Sequence, residues 1–546
     1  MKIVLVTIDT LRADRLGCYG YDKPTTPNMD SLAESSILFR DAFTPCTYTV
    51  PTHYGILTGR YPSNLSVFFR QGFGALDTDR EVMLQEVLTA KGYETAAFVG
   101  AMVLRKEWGF DAGFGVYDDK TTTSEKNRPE ELFRPGEETN RALFSWIREN
   151  KDRDFFVWTH YFDVHGPYVS PEPFASTFRP EYYGPDPVML PVVRDGRPGG
   201  IPRYQALGMG MDEGGEIAGR EQDARVYLAG YDSGVRHLDD IVGRLVEELK
   251  TQGIFDDTML VVTADHGEAL GEDGVWFFHG LTVTPEQARV PLLIKLPGGL
   301  RAGEVVEGPV STVDIFPTAL EVAGLDARRF ELDGESLLSA RKDDGRSVFC
   351  ENEWQRGIAR GKYMLVREKK VSRDGFTYYF DSKELCAGDR LLTHRDGRVV
   401  EGARDDDAVR LWELSDMYAR HVDPKEVSIR IDDRDIITLE GRARYDGARI
   451  SGMQANIDAK DSYIAELQGR VSSLTESAIA RDEELRKACQ EASELRDLAA
   501  TKEYERAVLQ ERVESMEVAL KSMEGSLSWR LTAPLRRVSG KLKGIG

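Results

Sequence analysis

Short apolar runs rich in β-branched and aromatic residues recur through the first half of the chain: KIVLVTID from Lys2, ETAAFVG from Glu94, DFFVWTHY from Asp154, TMLVVTAD from Thr258 and VPLLIKLP from Val290. They are nearly continuous in hydrophobicity, which is how strands buried on both faces read. Helical patterns such as MDSLAESS from Met29 lie between them. Strands alternating with helices predict an α/β fold with a mainly parallel sheet flanked by helices. Ligands of such sheets bind beyond the carboxyl ends of the strands. Asp9 closes the first run, His160 and Asp163 lie at the end of DFFVWTHY, and Asp265 closes TMLVVTAD, so these residues are expected to converge on one edge.

The pattern then changes twice. Tyr182 to Gly219 is rich in Gly and Pro without periodicity, and reads as an irregular insertion near the site mouth, suited to a substrate-selecting lid. Beyond Gly334, RSVFCENEW, KYMLVREKK and FTYYFD read as a small antiparallel sheet. From about Tyr445, steps of four and three starting at Leu467 meet Val471, Leu474, Leu485, Leu495, Leu509, Val513, Met516, Leu520 and Leu527, with breaks mainly at Arg481, Lys502 and Arg506. That seam predicts a long α-helical coiled coil and a homo-oligomer. The expected organisation is a catalytic domain over 1–330, a small C-terminal subdomain over 331–444, the coiled coil over 445–527 and a basic amphipathic tail over 528–546. The tail sets Trp529, Leu531 and Leu535 among Arg530, Arg536, Arg537, Lys541 and Lys543. It reads either as a peripheral membrane contact or as a solvated basic end.

With 546 residues and 41% hydrophobic content, the chain can bury an enzyme-sized core and something more. A net charge of -21 argues against a nucleic-acid partner, so an anionic substrate has to be drawn in by a local cation. The N-terminal apolar run is too short for a signal peptide, no run reaches the roughly 20 apolar residues of a spanning helix, and five dispersed cysteines lack CxxC spacing. A cytoplasmic location is expected, with room for peripheral attachment at the inner membrane.

The segment TYTVPTHYGILTGRYP carries candidate chemistry, with Pro51 suited to the first turn of a helix. Thr49 before that turn lies where backbone N–H groups and the helix dipole stabilise an oxyanion, and Arg60 follows within reach of bracing the loop. Alternatively Thr49 or Thr52 merely caps the helix. Taken with VTIDTLRADRLGCYGY, WTHYFDVHGPY and VVTADHGEALGEDG, the segment resembles the sulfatase family of the alkaline phosphatase superfamily from Lys2 to about Leu320. The resemblance implies an alkaline-phosphatase-like fold and one divalent metal ion at the sheet edge. It also implies a hydrolase of sulfuric or phosphoric esters, with Asp9, Thr49, Asp265 and His266 as metal ligands and Thr49 as nucleophile. His165, His279, Arg60 and His53 complete the implied catalytic set, and Asp163 is either a further ligand or a support for His165. Carboxylate, hydroxyl and imidazole donors suit Mg²⁺, Mn²⁺, Ca²⁺ or Zn²⁺.

Departures from the family pattern accompany the matches. Sulfatases proper carry Cys or Ser, oxidised to formylglycine, at the nucleophile position, whereas this chain carries Thr49. His53 stands for the motif arginine, Thr10 for a frequent second aspartate and His266 for a frequent asparagine. An unmodified threonine resembles the phosphotransferase and phosphodiesterase branches. An inactive coiled-coil scaffold is the reading from another class. The SWRLTAPLR tail resembles the C-terminal ends of bacterial glycosyltransferases of surface-polysaccharide assembly, which implies a sugar or polysaccharide ester as substrate and a glycosyltransferase or membrane contact.

Overall fold

The computed structural model describes residues 1–65, 81–124, 132–193, 198–210, 222–339, 346–352 and 355–368, short strand pieces from 370 to 393, and parts of a helix between 487 and 522. Two compact units divide the chain, 1–424 and 425–546.

A nine-stranded sheet organises the first unit. Its centre is the strand Lys2–Ile8, paired in parallel with Phe155–Tyr161 on one side and Thr258–Ala264 on the other. These three strands are almost wholly buried, as their uninterrupted apolar runs require. Glu94–Val99 and Val116–Asp118 extend the sheet in parallel beyond Phe155–Tyr161. The other half is mixed: Leu292–Lys295 runs antiparallel to Thr258–Ala264 and to Ile37–Phe43, so the VPLLIKLP run is a strand of opposite sense to its neighbour. Helices Gly136–Asn150 and Ala224–Thr251 pack on the sheet through their apolar stripes, with Leu143, Ile147, Leu238 and Leu245 fully buried.

Registers decide the functional edge. Ile8 pairs with Tyr161 and with Ala264, so Asp9 and Asp265 leave the sheet side by side and His160 sits one step back. Backbone bonds continue past the strands, from Asp9 N–H to the Tyr161 carbonyl (2.9 Å) and from Asp265 N–H to that of Ile8 (3.3 Å). The expected convergence of Asp9, His160 and Asp265 is therefore met by pairing of adjacent strands.

The expected small sheet is present as four antiparallel strands: Ser347–Glu351, Gln355–Arg360, Tyr363–Glu368 and Arg390–Thr393. The Tyr182–Gly219 stretch is more regular than its composition suggests, since it contains the helix Arg203–Gly210 and the paired strands Val192–Val193 and Ile201–Pro202. Among the described residues no helix is long and apolar enough to cross a membrane. Most of the 445–527 seam and all of the 528–546 tail lie outside the described residues. Those described between Lys487 and Ser522 are helical, and seam positions Leu495, Leu509, Val513 and Met516 are 49–71% exposed in the single chain.

Candidate active site

Thr49 is the first residue of a helix, Thr49–Thr58, that follows Tyr48 in extended conformation. Pro51 falls in the first turn, where the missing N–H costs nothing. The helix is buried from Val50 to Thr58 and has no polar face, whereas Thr49 is partly exposed at its mouth. It ends at Gly59, whose φ of 68° and contacts 3.0 Å from Phe316 and Leu332 at a would-be Cβ leave no room for a side chain.

His53 fixes the start of this helix. Its Nδ1 lies 2.7 Å from the Thr49 carbonyl, which can only accept, so Nδ1 carries the proton. Nε2 then accepts from the Thr7 hydroxyl at 2.9 Å, and Thr7 in turn accepts from the indole of buried Trp158 at 2.9 Å. Both ring nitrogens are thereby used, and burial followed by His160 pushes the imidazole down to about 3, so it is neutral at pH 7. His53, expected among the catalytic residues, is bonded to the Thr49 carbonyl and to Thr7, a geometry that suits positioning of the Thr49 backbone. The same bonds argue against it as a metal ligand, although its ring lies near His160 and Asp265.

His266 is the mirror case. Its Nδ1 donates to the Gly267 carbonyl at 3.0 Å, which leaves the Nε2 lone pair facing the site. Nε2 is 3.3 Å from Thr49 Oγ, 3.6 Å from Asp265 Oδ2 and 4.0 Å from Asp9 Oδ1. Asp265 Oδ1 is committed to the N–H groups of His266 (2.7 Å) and Thr10 (3.2 Å), which turns Oδ2 inward. Thr10 has a φ of 57°, unusual for a β-branched residue, and Tyr231 holds it there by donating to its carbonyl at 2.7 Å. The strained turn is what directs the Thr10 N–H at Asp265.

Two buried carboxylates and an acceptor nitrogen facing one point are mutually repulsive without a cation. The Asp265 Oδ2 atom and both nitrogens of fully buried His160 have no hydrogen-bond partner among the described residues. Burial pushes His160 down to about 4, so its neutral ring, 3.6 Å from Asp9 Oδ2, supplies no compensating charge. Asp9, Asp265 and His266 offer ligand atoms within 4.8 Å of one another, with Thr49 Oγ adjacent. The expected ligand set fits a divalent ion. His160, named at the strand end but given no role in the sequence, is a fifth candidate donor.

His279 and His165 line the same centre: the rings of His266 and His279 are 4.4 Å apart and those of His279 and His165 5.3 Å. His165 Nδ1 lies 2.7 Å from the Gly166 carbonyl, so the proton of the neutral ring sits on Nδ1. His279 Nδ1 is 3.3 Å from Glu268, whose other oxygen accepts from Tyr168 at 3.1 Å. Burial pushes the Glu268 carboxyl up to about 8, against the opposing pull of His266. Glu268 and Tyr168 stood inside the DHGE and HGPY motifs yet were passed over, because nothing in their spacing ties them to His279.

Two expected residues are elsewhere. Arg60 lies beyond the far end of the helix, about 15 Å from its start at 1.5 Å per residue, and pairs with buried Glu81 at 2.7 Å. It braces the helix and does not meet Thr49. Asp163 Oδ1 accepts the Gly136 N–H at 3.0 Å and so serves a neighbouring helix start, away from Asp9 and Asp265.

Comparison with known proteins shows what the whole chain is similar to. The sulfatase family model matches residues 2–325. The chain is 25% identical over 336 residues to the ulvan-active sulfatase of Formosa agariphila, a match that takes in 59% of this chain and 62% of that protein, just under two thirds of its length. It is 22% identical over 523 residues to the N-acetylglucosamine-6-O-sulfatase of Bacteroides thetaiotaomicron, covering 85% and 86% of the two chains. In fold it resembles the phosphonate monoester hydrolase of Agrobacterium radiobacter, with a TM-score of 0.57 at 19% identity over 79% of this chain and all of that one.

Proposed function

Because this chain belongs to the sulfatase family, and so to a class of ester hydrolases, we propose that it cleaves sulfate or phosphate esters of a sugar-like alcohol with Thr49 as nucleophile and one divalent cation as cofactor. The observation that carries the reading is Thr49 Oγ at a helix start, 3.3 Å from a His266 nitrogen that also faces Asp9 and Asp265.

The residues divide the work. Asp9, Asp265 and His266 would hold the cation, with Thr49 and His160 beside them. When bound, it supplies charge neutralisation for the ester's anionic oxygens and acidifies the adjacent hydroxyl. The helix start turns its positive dipole end toward the same oxygens. His53 holds the Thr49 backbone in line, while the Thr49 hydroxyl, 3.3 Å from His266 Nε2, is the group that attacks. As Thr49 Oγ bonds to the central atom its proton passes to solvent, the bond to the leaving oxygen breaks, and that oxygen takes a proton from His279 or His165. Water then attacks the Thr49 ester, the same histidine takes the water's proton, the bond to Thr49 Oγ breaks with Oγ regaining a proton from solvent, and sulfate or phosphate leaves.

A second reading is favoured by the same side chain. Threonine cannot be converted to formylglycine, so its adduct must be released by attack at sulfur or phosphorus, and an alcohol can do this in place of water. Phosphoryl transfer suits that route. The sugar part rests on the relative that acts on N-acetylglucosamine 6-O-sulfate and on the SWRLTAPLR tail.

Side-by-side turnover of p-nitrophenyl sulfate, phosphate and a phosphodiester with added metal tests these readings. Phosphoester turnover with a transient phosphothreonine at Thr49, seen by intact mass, is the expected result. Turnover of the sulfate alone moves the assignment to sulfuryl chemistry, and no turnover of any ester favours the scaffold reading.

We also propose self-association through the C-terminal helix, supported by the exposed apolar seam at Leu495, Leu509, Val513 and Met516. Truncation after Arg444 is expected to convert an oligomer to a monomer by light scattering while activity on small esters persists. An unchanged mass removes the coiled-coil reading.

A further inference from the structure

We propose that Glu137, Asp163 and His237 form a second divalent-cation site in the wall of a pocket beside His165. The three come from separate elements: Glu137 from the first turn of helix Gly136–Asn150, Asp163 from the loop after strand Phe155–Tyr161, and His237 from the middle of helix Ala224–Thr251. One ligand atom from each lies within 4.8 Å of the others.

A single hydrogen bond accounts for only two of them. Glu137 Oε1 and His237 Nε2 are 2.6 Å apart, a contact that would staple the two helices by itself. Asp163 is the surplus. Its Oδ1 is used by the Gly136 N–H, whereas its Oδ2 is buried with no hydrogen-bond partner among the described residues, and the carboxylate offers an oxygen within 4.8 Å of ligand atoms of Glu137 and His237. A buried carboxylate oxygen left so is costly, and burial pushes Asp163 up to about 6. A cation drawn between the three groups satisfies that oxygen and offsets the second negative charge at once.

The backbone leaves room for it. A Cβ at position 136 would stand 2.8 Å from Asp163 Oδ2 and 2.6 Å from Ile241, so the absence of a side chain at Gly136 keeps Asp163 in place. The pocket in front measures 540 Å³ and has apolar walls at Phe133, Phe162 and Val169, with His165 at one side. It gives an ion a route in and leaves coordination positions open to water or to vicinal hydroxyls of an alcohol held beside His165. Two carboxylates and one imidazole with open positions suit Mn²⁺, Zn²⁺ or Mg²⁺. The site extends the proposed function to recognition of a polyol, but its occupancy is readable without turnover.

Equilibrium dialysis of the full chain against Mn²⁺, with paramagnetic resonance of the bound ion, tests the site. The wild type is expected to bind two ions, Asp163→Asn and His237→Gln one each, and Asp9→Asn one. Asn at 163 retains an oxygen for the Gly136 N–H, and unchanged circular dichroism and metal-free melting report that the variants fold. A single ion in the wild type that is lost in Asp9→Asn overturns the second site and leaves the ester site standing. A single ion lost in His237→Gln but kept in Asp9→Asn overturns the ester-site metal instead. Two ions in Asp163→Asn also overturn the proposal.

Discussion

Thr49→Ala is expected to lower turnover by at least about 10⁴-fold, on the scale seen when a covalent nucleophile is removed while binding groups stay in place. Alanine deletes the attacking oxygen and its 3.3 Å contact with His266. The backbone carbonyl that His53 grips remains, as does the helix start. Because Thr49 is partly exposed and its hydroxyl packs little, the change in stability should stay within about 1 kcal/mol. Initial rates together with thermal melting check both halves. Wild-type turnover in the alanine variant would falsify the nucleophile assignment, and a large fall in melting temperature would reassign the hydroxyl to a structural cap.

Asp265→Asn is the second large effect, a fall in turnover of about 10³-fold or more that added metal does not restore. The asparagine oxygen can keep the hydrogen bonds from Thr10 and His266, so the strand end and the strained turn survive. What is lost is the anionic Oδ2, replaced by an amide donor toward His266 Nε2, now 3.6 Å away. Chelation should bring wild-type turnover down to the level of the variant, and a divalent ion should restore the wild type alone. Without metal, the variant is expected to melt at or above the wild-type temperature, since one of two carboxylates packed within 4.8 Å no longer repels the other. Calorimetry at matched metal-free conditions reads the sign, and a marked loss of stability would show that the carboxylate pair is held by the fold without a cation.

Much of the site was legible because its residues sit where apolar runs stop. Asp9 and Asp265 each follow a strand whose hydrophobicity is continuous, and parallel pairing in register brings such ends together with no further information. Thr49 and His266 were legible through the motifs around them. Arg60 was misread because sequence proximity to Thr49 is not spatial proximity: an intervening helix carries it to the opposite end, where Glu81 holds it. The role of His53 was hidden for the opposite reason, since its partner Thr7 lies on a strand remote in sequence.

The chain's pattern of apolar runs and terminal carboxylates, by itself, determined the α/β architecture and the sheet edge at which Asp9 and Asp265 meet, because strand burial and register are written in local hydrophobicity. Only the tertiary structure decided which nitrogen of His53 and of His266 carries the proton, that Glu268 stands beside His279, and that Glu137, Asp163 and His237 meet at a second point. Those outcomes depend on hydrogen-bond partners and burial contributed by segments far apart in the chain, and no local pattern encodes them.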